Sequence, residues 1–444
     1  MPPQRPEASD WRSKLNQKLV IYEAPELFNG KAMAEQGWGS VPYISEQFKR
    51  YYVSGARLVE APPEIKRREF GFLSFGGRTM FRHIGFDDTQ QLRSYLMNHA
   101  PAHTYFSAAY YQDPEAAMAQ KGWLGADLVF DIDADHFDLL CHDEHDRWTC
   151  KTCGREGTGH PPEKCPECEK ATFDEESWLC EDCLGAAKHE AQKLLDILIQ
   201  DFGYSPSEEM TVNFSGNRGY HVHVRSQNAK GLDQLARREV VDYILGIGIQ
   251  AEFQGLIGRR TASNQAVRQG GWRGRSMRAL YDFVATATQN EVKVLKLGRN
   301  TSRNLVEHRD EILAAIMDRH PGRIAKYIDP KSLEKLLVVG AKEQASHIDT
   351  VVTTDLRRLI RLPNTLHGKT GWLAQNVPLD DLADYDPLSS AIAFTEGEER
   401  IYIRSTPKII VGGETYGPFE EESRELPLAV AMFLLCRGAA RVER

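Results

Sequence analysis

Three short strings in this chain carry the residues that could do chemistry. The first is DLVFDID, Asp127 to Asp133, which reads as a strand ending in acids. Side chains alternate along a strand, so Asp131 and Asp133 share a face. Two carboxylates there repel unless a cation lies between them, and hard oxygen ligands suit Mg²⁺ or Mn²⁺. Taken alone, a solvated strand end continued by Asp135 would look the same.

The second string, Ser215-Gly216-Asn217-Arg218-Gly219-Tyr220-His221, joins two expected strands, MTVNFSG and GYHVHVRS. Glycines let backbone N–H groups approach an anion, and Ser, Arg and His add donors. An ordinary hairpin with a basic tip also fits. His221 and His223 share one strand face, which predicts a cleft lined by it. The third string begins at His347-Ile348-Asp349 and runs through TTDLRRLIRLPNTLHGKTG. Asp349 could complete the carboxylate set of a two-metal phosphoryl-transfer site. Arg361, His367 and Lys369 cluster at a proline turn and could hold a triphosphate. Arg357 and Arg358 read as including solvated or structural members.

Seven of the eight cysteines lie between Cys141 and Cys183, six of them in CxxC pairs. Such clustering in an intracellular chain reads as metal ligation. Cys150, Cys153, Cys165 and Cys168 have the spacing of a self-contained zinc ribbon. Tetrahedral zinc takes four ligands, so Cys141, one histidine, Cys180 and Cys183 would fill a second site. His145 is preferred over His142, because a histidine adjacent to Cys141 strains chelation. Free cysteines, or two sites sharing ligands in an interleaved pattern, are the alternatives. Cys436, in LAVAMFLLCRGAA, reads as a buried helix residue.

These residues need elements to position them. Residues 1–10 read as a frayed end and 11–60 as helical. RREFGFLSFGGRTMFRHIGF has the alternation and Gly-Gly turn of a hairpin. AAKHEAQKLLDILIQDFG reads as an amphipathic helix with a glycine stop. Residues 230–345 read as mostly helical, interrupted by the loop RQGGWRGRSMR, and 347–375 as a strand and loop. IYIRSTPKIIVGGETYGPF suggests another hairpin and ELPLAVAMFLLCRGAA a closing helix.

Composition bounds the rest. The chain has 444 residues, 41% hydrophobic and 27% charged, as folded globular chains do. No apolar run approaches the roughly 20 residues of a membrane span. The opening MPPQRPEASDW lacks an apolar signal core, which predicts a cytoplasmic protein. A net charge of −8 argues against a nucleic-acid partner, yet its distribution is uneven. Residues 141–190 hold 13 acidic and 6 basic residues, whereas 255–305 hold 10 basic and 2 acidic. The basic segment is a candidate template contact, with Trp272 among arginines as single-strand binding prefers; a flexible surface loop is the plain alternative.

The strings VFDIDADH, FSGNRGYHVHV and IDTVVTTDLRRLIRLPNTLHGKTG, in this order, resemble the catalytic small subunit of archaeal-type DNA primase, of the archaeo-eukaryotic primase superfamily. KRREFGF and WLCEDCLGAAK add to a resemblance that covers most of residues 45–375; the C-terminal 60 residues match less clearly. It implies that Asp131, Asp133 and Asp349 hold the catalytic metals. It implies that Ser215, Arg218 and His221 contact nucleotide phosphates, and that Arg361 and His367 lie near the incoming nucleotide. Arg68, in RREFGF, would be a further phosphate contact. Relatives carry a shorter Cys, His, CxxC knuckle before the helix that here begins LGAAK. This makes the ribbon 150–168 an insertion inside an ancestral Cys₃His site.

The expected fold is α/β: a mixed sheet carrying the acids and the glycine loop, flanked by helices, with a zinc module and a helical subdomain. The expected core is 11–140, 184–230 and 345–385. The zinc module is 141–183, the helical insertion with its basic loop 231–344, and a C-terminal hairpin and helix of unclear role 386–444. The expected activity is primer synthesis on single-stranded DNA from nucleoside triphosphates by two-metal nucleotidyl transfer. The implied cofactors are Mg²⁺ or Mn²⁺ and two Zn²⁺, and the implied partner is a primase large subunit in a heterodimer. A repair or plasmid primase-polymerase, a metal-dependent nuclease and a non-catalytic zinc-ribbon scaffold are the competing readings.

Overall fold

The computed structural model describes residues 21–23, 40–77, 79–249, 267, 269–317 and 321–443. Nine strands in chain order build two sheets: β1 (Ile21–Glu23), β2 (Phe70–Leu73), β3 (Thr79–Ile84), β4 (His103–Ser107), β5 (Leu128–Asp133), β6 (Met210–Phe214), β7 (Gly219–Val224), β8 (Leu359–Arg361) and β9 (Gln375–Val377). One sheet runs β1-β3-β2-β4-β8, the other β9-β6-β7-β5. Every neighbouring pair is antiparallel, so neither sheet is the mixed one expected. The reason is local. β5 and β6 do run parallel, being joined through a helix, but the hairpin return β7 lies between them.

The labelled helices are α1 (Val41–Gly55), α2 (Thr89–His99), α3 (Glu181–Gln200), α4 (Gln234–Ile244), α5 (Gly271–Thr286), α6 (Pro330–Gln344), α7 (Thr350–Thr354) and α8 (Leu428–Arg437). α3 shows why this sequence is helical. Leu184, Ala187, Ala191, Leu194, Leu195 and Leu198 recur at helical spacing and are buried. That stripe covers the β5–β7 sheet and fixes the floor of the site. Within the segment 11–60, Ile21–Glu23 is a strand and α1 a helix; the helix expected over 11–20 and 24–39 lies outside the described residues.

One apolar core joins both sheets, α3, the Trp178–Leu179 segment and α8. α8 buries Val430, Met432, Phe433, Leu434 and Leu435. At about 1.5–3 kcal/mol each, this burial rivals the net stability of a typical domain, about 5–15 kcal/mol. The C-terminal segment is therefore integral to the fold. A second core, around Met277, Leu280, Ile312, Ile316, Leu336 and Leu337, belongs to the helices between 271 and 344.

The basic loop RQGGWRGRSMR is largely the first turns of α5. Trp272 is buried, and its indole N–H donates to the carbonyl of Tyr243 at 2.8 Å. Arg275 is buried too, donating to Asp201 at 2.7 Å and Asp196 at 2.6 Å. Neither side chain is presented to a template, which corrects the expected stacking by Trp272. The signal misled because an amphipathic helix can bury arginines when acids face them. Arg259, Arg260 and Arg268 lie outside the described residues.

Candidate active site and metal centres

β5 delivers Asp131 and Asp133 to one face while Ile132 is buried on the other. Their side chains stay 22% and 32% exposed, enough to reach a ligand. Across the ladder, His221 sits opposite Asp131 and Gly219 opposite Asp133. Gly219 is required there: a Cβ would come within 2.0 Å of the Ile132 carbonyl oxygen. The third carboxylate arrives from far along the chain. The Asp349 N–H donates to the Asp131 carbonyl at 2.8 Å. Asp349 Oδ1 caps α7, accepting from the N–H of Val351 at 2.8 Å and of Val352 at 3.4 Å. Burial, with the negative charges of Asp133 and Asp349, pushes the Asp131 carboxyl up to about 7 against the pull of Arg358 and Arg361. A carboxyl raised by like charges is relieved by a nearby cation, and carboxylate oxygens are the ligand type that Mg²⁺ and Mn²⁺ take.

The glycine loop is held rigidly. Ser215 Oγ accepts from Asn217 N–H at 3.3 Å and Gly219 N–H at 3.2 Å. Gly216 has φ +81°, and Thr370 Oγ1 donates to its carbonyl at 2.6 Å. The loop is thus tied to the turn that bears His367. Arg218 donates through Nε to Asp133 at 3.0 Å and pairs with Asp135.

His221 Nε2 lies 3.5 Å from Asp131 Oδ1. Burial, then Arg361 and Arg358, lower its pKa to about 3, so the contact is made by a neutral imidazole. His367 is also buried, and burial with Arg361 and His103 keeps it well below the usual histidine range. Its Nδ1 accepts the Lys369 N–H at 3.3 Å, which assigns the ring proton to Nε2. Both histidines are therefore neutral donors, not cations. Arg361, whose charge acts on both, is buried, donating to the Tyr105 hydroxyl at 3.0 Å, and its other terminal nitrogen, Nη1, has no hydrogen-bond partner. Lys369 stands at the rim, its ammonium pushed down to about 8 by desolvation and by Arg218 and Arg437.

Arg68 is placed otherwise. It is fully buried, donating to Asp127 at 2.7 Å and to the carbonyls of Ser107 at 2.9 Å and Ala108 at 2.8 Å. Its guanidinium lies 3.6 Å from the Tyr110 ring centre. These bonds join the wall beneath the site and leave nothing to hold a phosphate. His223 is likewise fully buried, stacked on Phe106 at 5.9 Å, so only His221 of that face reaches the carboxylates. Tyr105 and Arg437 carried no sequence signal; Arg358 stood in plain view within RRLIR. An open cleft of about 640 Å³ between α3, α5 and α6 is lined by none of the assigned residues.

The sequence profile of the DNA primase small subunit matches residues 163–380. The chain is 34% identical over 402 residues to the DNA primase small subunit PriS of Cenarchaeum symbiosum, covering 89% of this chain and 97% of the relative. The chain belongs to the DNA primase small subunit family. PriS of Natronomonas pharaonis is 34% identical over 430 residues, with 90% and 97% covered. PriS of Methanoregula boonei is 31% identical over 428 residues, with 90% and 98% covered.

This primase-family chain also carries two thiol clusters. Cys141, His145, Cys180 and Cys183 form one group, and Cys150, Cys153, Cys165 and Cys168 the other. Their spacing tests the fit to zinc. Tetrahedral Zn–S bonds of about 2.3 Å require sulfurs about 3.8 Å apart. Cys141–Cys183 and Cys150–Cys168 are 3.5 Å apart, and Cys180–Cys183 and Cys153–Cys165 are 3.6 Å apart. His145 Nε2 faces Cys183 Sγ at 3.3 Å, while its Nδ1 meets Asp146 at 2.8 Å. That second contact orients the ring as metal-bound histidines require. Both groups can hold metal and suit zinc. The ribbon's strands, Arg147–Cys150, Glu156–Thr158 and Phe173–Glu176, form their own small sheet. Among the described residues no helix is long and apolar enough to cross a membrane.

Proposed function

We propose that this chain is the catalytic subunit of a DNA primase, joining nucleoside triphosphates into short primers on single-stranded DNA. The observation that carries the reading is the backbone bond that sets Asp349 beside Asp131, which shares a strand face with Asp133 and whose carboxyl is pushed up to about 7 by burial and by the charges of Asp133 and Asp349. Bound there, divalent ions would supply activation of the attacking 3′-hydroxyl and neutralisation of the leaving pyrophosphate.

The protein's own groups do the rest. Arg361 Nη1, and the N–H groups of His221 and His367, offer donors that need no proton uptake at neutral pH. Fixed donors around the triphosphate stabilise charge that develops during transfer. Ser215 holds the loop that carries Arg218, and Arg218 exchanges its carboxylate partners for phosphate when a nucleotide enters. The Cys₃His site and the ribbon are structural, since all four positions of each are filled by protein. A primase large subunit is the expected partner, and the cytoplasm the expected compartment.

The test is incorporation of labelled nucleotides on single-stranded DNA with Mg²⁺ or Mn²⁺, for the chain alone and with its large subunit. Template-dependent products support the reading. No incorporation under any of these conditions makes the chain a scaffold, and shortening of the DNA makes it a nuclease.

A further inference from the structure

α8, which ends at Arg437, packs on the 367–371 turn that is tied to the glycine loop. The helix lies directly on that turn. Cys436 and Met432 each approach the position of a Cβ on Gly371 to 3.6 Å. Phe433 stacks on Trp372 at 5.0 Å, and the Trp372 carbonyl accepts the His367 N–H at 2.8 Å. Thr370 ties the same turn to Gly216. Helix, turn and glycine loop are therefore one bonded unit.

Arg437 is held in place but little used. Its guanidinium lies 5.0 Å from the ring centres of both Trp178 and Phe433. Nη1 donates to the Ser177 carbonyl at 2.7 Å. Nε is buried without a hydrogen-bond partner. Leaving a buried donor unmade is costly, and arginine's fork suits phosphate geometry. The charges around it point the same way. Arg437 and Arg218 repel one another, and both repel Lys369, while Glu176 and Asp146 attract Arg437 from the zinc-module side. Cations from three distant segments thus come within electrostatic reach of one another.

We propose that Arg437 is a phosphate-binding residue of the nucleotide site, taking an oxygen of the bound triphosphate beside Lys369. The proposal rests on the nucleotide-site reading above. A brace between α8 and the Ser177–Trp178 segment explains the Nη1 bond and the ring contacts; it does not explain the buried Nε left without a hydrogen-bond partner.

The probes are Mg²⁺-ATP, Mg²⁺-AMP and a single-stranded oligonucleotide, titrated separately against the full chain. R437Q should weaken ATP binding about tenfold, as loss of a charge-assisted contact does. AMP and oligonucleotide affinities should stay within about twofold, and R437K should recover most of the loss. Unchanged ATP affinity, or equal loss of ATP and AMP, overturns the proposal. Loss of oligonucleotide affinity alone reassigns the residue to a backbone phosphate and also overturns it. Arg361→Ala is the control: if it too leaves ATP affinity unchanged, the nucleotide-site reading itself has failed. Should R437Q not fold, the wild-type chain is treated with an arginine-selective dicarbonyl with and without inorganic tripolyphosphate. Protection of Arg437 supports the proposal, and equal modification in both samples overturns it.

Discussion

The peptide N–H of Asp349 donates to the carbonyl of Asp131 at 2.8 Å, so a residue from the third string is pinned to the strand that carries the first two acids. The bond is between backbones. It fixes where the Asp349 carboxyl stands without depending on its charge.

It follows that Asp131→Asn, Asp133→Asn and Asp349→Asn should each abolish nucleotide transfer while preserving the fold. Asn caps a helix about as well as Asp, so even Asp349→Asn should shift stability by only a few tenths of a kcal/mol. Incorporation assays at saturating Mn²⁺, beside thermal melts, check this. Near-normal activity would remove that residue from the site.

The raised Asp131 carboxyl has a consequence in pH. Its ordinary value is near 4, and in the fold it is about 7, raised by burial, Asp133 and Asp349 and opposed by Arg358 and Arg361. Between those values the unfolded chain is ionised while the folded chain keeps the proton. The unfolded state then binds fewer protons, so stability falls as pH rises from about 4 to about 7 and levels off above. Melting of metal-free protein across this range should show that slope, and Asp131→Asn should flatten it. An identical slope in the variant would locate the titration elsewhere. Mg²⁺ binding near pH 6 should also release protons, readable as a buffer-dependent heat.

His221→Ala and Arg361→Ala should each weaken nucleotide use about tenfold or more, the worth of a hydrogen bond to a charged group, with template affinity nearly unchanged. Separate titrations of nucleotide and single-stranded DNA decide it. Weakened DNA binding with an unaltered nucleotide requirement would reverse the assignment.

Metal analysis should find two zinc ions per chain. Replacing residues 150–168 by a short Gly/Ser linker should leave one zinc and measurable activity, because the ribbon's four sulfurs are all its own. Cys180→Ser should instead destabilise the whole fold, since serine can still cap α3 but removes one of the four ligands of the Cys₃His group. If the linker variant loses both ions, the partition is wrong.

Local patterns explain what could be read in advance. β5, the β6–β7 hairpin and α3 follow from alternation, glycines and apolar spacing within a few residues of each other. The ribbon's ligand set is likewise a matter of short spacing, and the four ligands left over make up the second set. What escaped reading depends on partners distant in the chain. Arg68 read as a phosphate contact, but Asp127 and Tyr110 close around it. Arg275 looked like part of a loop until Asp196 and Asp201 paired with it. The place of α8 in the central core had no local signature, and neither did the packing of Arg437 against Trp178 and Phe433.

Arg68→Ala and Arg275→Ala should therefore act on stability. Removing one member of a buried pair costs about 3–5 kcal/mol, which urea unfolding would register. Nucleotide and DNA affinities of the folded fraction should stay within about twofold. Normal stability with lost binding would restore these arginines to a ligand-contacting role.

The bond between Asp131 and Asp349 joins residues that leave the ribosome at very different times. About 220 residues separate them, and at about 5–20 residues per second synthesis takes roughly 10–40 s to cover that distance. During that interval β5 can pair with β7 and the thiol clusters can close, yet the carboxylate set is still incomplete. A growing chain thus has time to fold its zinc-suited modules while the proposed carboxylate set lacks its third member, and the proposed reaction centre comes into being only late in folding.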